Sequence, residues 1–558
     1  MSSSASISAA AWRDPAQVMR LARLGSLHPS RLSFARLMLR RLAGESWRIG
    51  CRHWEIDARG VGTAVYTAEG PERGYSLVAV AAPGAAATTG NGDVACVLVD
   101  GIADDDDLAR LKAALDGEGD TRLAGRDLCL IRARRSTRLF EPLVEALARG
   151  VQPALDQLDR VGYALRTVSV HASGKLGSAD RDHLADRREF AAPYQVEMLA
   201  LYLIRAFSHD LVDHLAGGRA RKTAVALSPA ARRRLGVGNA TGPGLAPFLI
   251  NHPLLADRWV GAREEALGRV RSLERATVED RDIFRMRLAG ARDHVAGWRS
   301  THPLQATKIA ELAADLDRLA AHVEAGDLAE RRPWDALWRW AEVELGLEGQ
   351  ELLVSLMLEP YGEVVDALAE QLTVDERAAS RLDGRMRVGE LRTVLAQAYG
   401  WALAIDFTDP DARAQAWYAD PAGEGRIGTR ETLDPRLERP CAPAQEVQAL
   451  AAALRGVDDD VTVAEVVLAH PEHRATVRRA QIARHHAYAE IRDNTVDADL
   501  VPLDLLRAKL AFMGATRFDP TSDRRLRVTF YQGAPLADEL GSSDADGWIY
   551  ATSTAAHA

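Results

Sequence analysis

One segment carries side chains of the types that move protons, at a spacing that puts them together. Within PYQVEMLALYLIRAFSHDLVDHL, residues 193–215, stand Tyr202, Arg205, His209 and Asp213. On a helix turning 100° per residue these four project within roughly 80° of one another, while Leu203, Ile204, Phe207, Leu211 and Leu215 take the other face. A carboxylate one turn beyond a histidine can hold the imidazole in one tautomer, so Asp213 is expected to orient His209 as a general base. The plain alternative is a solvated polar face. Asp210 and His214 repeat the spacing, but no third or fourth ligand accompanies HDLVDH, and no metal site is assigned.

Two glycine-rich segments hold anion-binding residue types. HASGKLGSADRD, residues 171–182, places Lys175 among glycines with Ser173 close by, a composition that lets backbone approach an anion and aims an ammonium at it. It is not a phosphate-binding loop of the Walker type, because Ser169 stands where the first glycine belongs and Leu176 follows the lysine. LGVGNATGPGLAPFLINHP, residues 235–253, carries Asn239, Thr241, Asn251 and His252. It follows SPAARRRL, which reads as a helix, whereas a dinucleotide fingerprint follows a strand. It is expected to be a flexible polar loop whose Asn, Thr and backbone amides could bind carboxylate or phosphate oxygens. Asn251 or His252 could equally cap the helix that starts at Pro253. Near the C-terminus, Arg492 and Asn494 in HHAYAEIRDNT add a guanidinium fork and an amide. The chain has 65 arginines but five lysines, and only four asparagines, three of which fall in these segments. Where arginine has replaced nearly every lysine, a retained lysine in a glycine loop suggests a point charge or a titratable amine.

The elements that must position these residues follow from periodicity. Apolar residues at helical spacing over 15–43 predict two short helices. WEID, GTAVYTA, YSLVAVA and VACVLVD are β-rich runs, with EGPERG as a hairpin turn, and predict a small antiparallel sheet. After Arg138 the pattern is mainly helical: residues 193–215, then 252–300 as one long helix or two with a break near Arg275, then 303–325, 334–347 and 359–372. LRVTFYQG reads as a late strand. The fold class is therefore α+β, predominantly α-helical, with an N-terminal sheet, a central helical bundle and a mixed C-terminal region. Four consecutive regions are expected: 1–135, 136–300 with the glycine-loop site, 301–435 and 436–558.

At 558 residues the chain is long enough for several packed units. A net charge of −9 argues against a general nucleic-acid binder. The spacings of Cys51, Cys96, Cys129 and Cys441 match neither a zinc site nor a disulfide framework. MSSSASISAAAWRDP lacks the charged start and apolar stretch of a secretory signal, and no run reaches the ~18 apolar residues of a membrane helix. The expectation is a cytoplasmic enzyme acting on a small anionic metabolite by general acid-base chemistry, of lyase, isomerase or transferase type. In that reading His209, Asp213 and Lys175 are catalytic, and Ser173, Tyr202, Arg205, Asn239, Thr241, Asn251, His252, Arg492 and Asn494 bind substrate. The sequence leaves open any flavin or other cofactor and assembly into a homo-oligomer. The alternatives are a non-catalytic helical binding or assembly protein, and an enzyme that binds or modifies RNA.

Overall fold

The computed structural model describes residues 12–83, 92–115, 126–133, 136–161, 167–172, 186–241, 252–300, 303–326, 328–373, 381–410, 443–492, 502–519, 526–541 and 547–549. The chain divides into two compact units, each built from three separated segments: Met1–Leu27, Gly242–Leu288 and Thr301–Phe512 in one, and His28–Thr241, Ala289–Ser300 and Met513–Ala558 in the other. The sequence reading expects four consecutive regions. Composition along a chain does not reveal which distant segments pack together, and here the polypeptide leaves each unit and returns to it.

The second unit is built on a six-stranded antiparallel sheet in chain order: β1 Arg48–Ile56, β2 Gly62–Glu69, β3 Gly74–Pro83, β4 Gly92–Asp100, β5 Asp127–Ala133 and β6 Thr167–Ala172. Register explains why the central strands read as continuous apolar runs. One row of paired residues, Val65, Val78, Val97 and Leu130, lies on one face, where Leu111 of the helix Asp105–Leu115 joins the cluster. The neighbouring row, Cys51, Tyr66, Leu77, Leu98 and Cys129, lies on the opposite face. The helix Gln195–Arg219 packs against β2, β3, β4 and β5. A sheet covered on both sides needs apolar residues at every position of its central strands, which masks the usual period of two. Cys51, Cys96 and Cys129 are free thiols.

A second sheet of order β7-β9-β8 joins β7 Val237–Thr241 to β8 Ala515–Asp519 and β9 Leu526–Phe530. This corrects the reading of residues 235–253 as a flexible loop from its start. Asn239 and Thr241 stand in a strand, paired in register with Val528 and Leu526. Glycine and asparagine are poor strand formers, but a partner far away in sequence supplies the ladder bonds that local propensity does not.

The first unit is helical. Its helices include Pro253–Ser272, Pro303–Ala325, Pro333–Glu344, Leu347–Leu358, Val388–Ala398, Pro443–Ala453, Arg474–Ala483 and Pro502–Met513. The expected break near Arg275 is present, the next helix being Val278–Ala296. Leu347–Leu358 is buried along almost its whole length, as a helix that is apolar all round must be. Its single buried charge, Glu351, is met by three guanidiniums: one oxygen accepts from Arg13 at 2.8 Å and Arg23 at 3.1 Å, and the other from Arg263. Arg13 also grips Glu264 and lies over the Trp338 ring. Removing five charges from water is tolerable only because each carboxylate oxygen is occupied. No helix among the described residues is long and apolar enough to cross a membrane.

Candidate functional site

The helix Gln195–Arg219 does carry its polar residues on one stripe, but that stripe is not solvated. Tyr202, Arg205 and His209 are each 2–3% exposed. The stripe faces backbone carbonyls of residues 233–235 and 534–535. The Arg205 guanidinium donates to the carbonyls of Ala534 at 2.7 Å, Pro535 at 3.0 Å, and Leu235 and Arg233 at 3.2 Å each. The Tyr202 hydroxyl donates to Pro535 at 2.8 Å. His209 Nε2 lies 3.2 Å from the Leu235 carbonyl, which only accepts, so that nitrogen carries the proton. Burial, helped by the Arg205 charge, holds His209 well below the usual histidine range and therefore neutral. Burial also draws Arg205 down to about 10, still protonated at neutral pH.

The pairing of Asp213 with His209 expected from their spacing is not formed. Asp213 accepts from the Leu227 amide at 2.7 Å and from Arg232. A guanidinium is a stronger partner for a carboxylate than a neutral imidazole, and Arg232 sits on the short helix Pro229–Arg234, which Ser228 caps beside the same stripe. Tyr202 and Arg205 likewise hold backbone, and the residue next to His209 takes the exposed position instead. Asp210 accepts from the Tyr66 hydroxyl at 2.5 Å through one oxygen and from Arg232 at 3.1 Å through the other. Tyr66 reaches it because β2 packs under this helix, with the Tyr66 and Phe207 rings edge to face at 6.2 Å. Cys51, directly across the ladder from Tyr66, completes a line of polar groups.

These groups border a cleft of about 340 Å³, walled by Cys51, Tyr66, Arg205, His209, Asp210 and Arg232. That is the lower end of the range for small-molecule sites. Burial and the bond to Asp210 raise the Tyr66 phenol far above its ordinary value, so it stays a donor. Burial raises the Cys51 thiol, and nearby Asp210 adds to the effect, so the sulfur is not a thiolate nucleophile at neutral pH. All hydrogen bonds of Arg205 go to neutral carbonyls, leaving its charge without a bonded carboxylate. The cleft lining thus carries both signs of charge, Arg205 and Arg232 together with Asp210 and Asp538.

The remaining expected residues distribute as follows. Lys175, Ser173, Asn251 and Asn494 lie outside the described residues. Asn239 and Thr241 are strand residues of the sheet unit. His252 and Arg492 belong to the helical unit. His252 precedes Pro253 as the residue at the helix start, without a side-chain capping bond, and the Arg492 amide donates to the Met19 carbonyl at 2.6 Å. Among the described residues no group of three His, Cys, Asp or Glu could hold a metal ion. His214 Nε2 faces the Asp57 carbonyl at 3.1 Å. Tyr66 and Arg232 escaped sequence reasoning: Tyr66 sits in an apolar strand run and Arg232 in an arginine run, and neither carries a local mark. No protein-family model, curated protein or solved structure matches this chain.

Proposed function

We propose that this chain is a cytoplasmic enzyme that takes a small anionic metabolite, a carboxylate or a phosphate, into the cleft beside Tyr66 and acts on it by general acid-base chemistry. Lyase, isomerase and transferase reactions all use such groups. The observation that supports it is the Tyr66–Asp210 hydrogen bond at a cleft that also holds the buried cation Arg205. Asp210, held on Tyr66 and Arg232, is the proton acceptor, and Tyr66 the hydrogen-bond donor that steadies it. Arg205 has its donors committed to carbonyls, so it acts on an anion through its field.

The test has two stages. A thermal-shift and native mass-spectrometry screen of small carboxylates and phosphates identifies a ligand by mass action on stability. Turnover of that ligand is then compared in Asp210→Asn and Tyr66→Phe. Loss of general-base catalysis lowers kcat by about 10² to 10⁴ in Asp210→Asn with little change in KM. A folded Asp210→Asn protein with unchanged kcat, or a screen in which no carboxylate or phosphate raises the melting temperature, overturns the reading.

A further inference from the structure

We infer that the helical unit carries a second ligand site, a groove that binds a small organic anion by its phosphate or carboxylate head. The groove is about 410 Å³ and lies where the helix Arg474–Ala483 meets residues 381–386 and Leu254. Three guanidiniums border it, Arg381, Arg478 and Arg484, against a single carboxylate, Asp383. His485 borders it as well. A local excess of cations in a chain of net charge −9 runs against the composition of the whole.

Structural duty does not account for Arg381 and Arg484. Arg381 is exposed and makes no hydrogen bond or ion pair with any described residue. Arg484 meets Glu390 at 3.4 Å, with both side chains about half exposed, a pair of the kind that contributes little. Asp383 is committed elsewhere, one oxygen accepting from the Arg385 amide at 3.0 Å.

The frame that holds the groove is firm. The Gln481 side chain makes two reciprocal bonds with the Asp383 backbone, at 2.8 and 2.9 Å, and pins residues 381–386 to the helix. His486 Nδ1 is 2.9 Å from Asp257, which also accepts from the Tyr488 amide at 3.0 Å. Ligand-facing guanidiniums on a fixed frame can fork onto two oxygens of one head group without first ordering the backbone. Met386 and Ile482, both under 9% exposed, add apolar wall for the carbon body of the ligand.

The experiment is isothermal titration of the full chain with inorganic pyrophosphate and, separately, citrate, with sodium chloride holding ionic strength constant. Saturable one-to-one binding is expected. Arg381→Gln should weaken it about tenfold, the loss of one charge-assisted contact, and the Arg381→Gln/Arg478→Gln/Arg484→Gln protein should abolish it. The two probes separate phosphate from carboxylate preference. Arg381 is exposed and has no partner among the described residues, so Arg381→Gln remains a valid test if the triple variant does not fold. Unchanged binding in a folded triple variant overturns the site. So does binding lost in Arg232→Gln but kept in the triple variant, which would place the anion in the cleft of the sheet unit. Tighter binding of a 20-nucleotide RNA than of pyrophosphate, steeply salt-dependent and lost in the triple variant, overturns the small-ligand assignment in favour of RNA.

Discussion

Replacing Glu351 by glutamine tests the reading that a buried charge cluster holds the helical unit together. The side chain is fully buried, and its oxygens accept from Arg13, Arg23 and Arg263. Glutamine keeps the shape but turns one acceptor into a donor and leaves Arg263 facing no anion. Two routes give the same magnitude. Despite burial, which by itself would raise it, Arg13 and Arg263 hold the Glu351 carboxyl down at about 2 against an ordinary 4.5. At 1.36 kcal/mol per unit this means the folded state favours the ionised form by about 3 kcal/mol. Breaking one side of a buried ion pair costs about 3–5 kcal/mol in other proteins. Glu351→Gln should therefore lower unfolding free energy at pH 7 by about 3 kcal/mol, read by urea titration with far-ultraviolet circular dichroism and with fluorescence, since Trp338 stacks on Arg13. The pH dependence gives a second reading. A depressed folded value means that the unfolded chain takes up the proton first, so the wild type loses this stabilisation as pH falls from about 4.5 towards 2, about 1 kcal/mol of it by pH 3.5. Glutamine has no such proton, so the gap between the two proteins must narrow over that window. Equal urea midpoints at pH 7, or a gap of constant size down to pH 3.5, would refute the argument.

Two further outcomes follow from the packing. Gly25 has φ +79°, and a Cβ there would lie 2.6 Å from the Arg507 carbonyl oxygen, so Gly25→Ala should destabilise the helical unit by about 2 kcal/mol or more, measured by thermal unfolding; an unchanged melting temperature would count against that contact. In the sheet unit, burial holds His209 well below 6.5 and His294 at about 4. The unfolded chain protonates these rings first, so hydrogen-exchange protection of the helix Gln195–Arg219 should fall as pH drops from 6.5 towards 4 after correction for intrinsic exchange; His209→Gln should flatten part of that slope, and an unchanged slope would dismiss His209 as its source.

Much of the fold is legible locally. The 3.6-residue period of PYQVEMLALYLIRAFSHDLVDHL marks a helix, and turn residues in EGPERG mark the hairpin between β2 and β3. The same signals fail for VGNAT, whose strand exists only through pairing with residues 526–530. For the candidate site, one turn of helix brings His209 and Asp213 near each other, yet which residue takes the carboxylate depends on Arg232, nineteen positions away. Likewise Arg205 looks like a free cation until the carbonyls of 534 and 535 arrive to occupy it.

By itself the sequence determined most of the element types, the mainly helical α+β class and the stripe that carries Tyr202, Arg205, His209 and Asp213, because these depend on periodicities within one segment. Only the tertiary structure decided that this stripe is buried, that Asp210 pairs with Tyr66 at the cleft while Asp213 is held by Arg232 and not by His209, and that Arg381, Arg478 and Arg484 share one groove. The reason is physical: helices and strands are set by neighbours along the chain, whereas the partner of a charge is whichever group, from any distance in sequence, meets it most strongly where water has been removed.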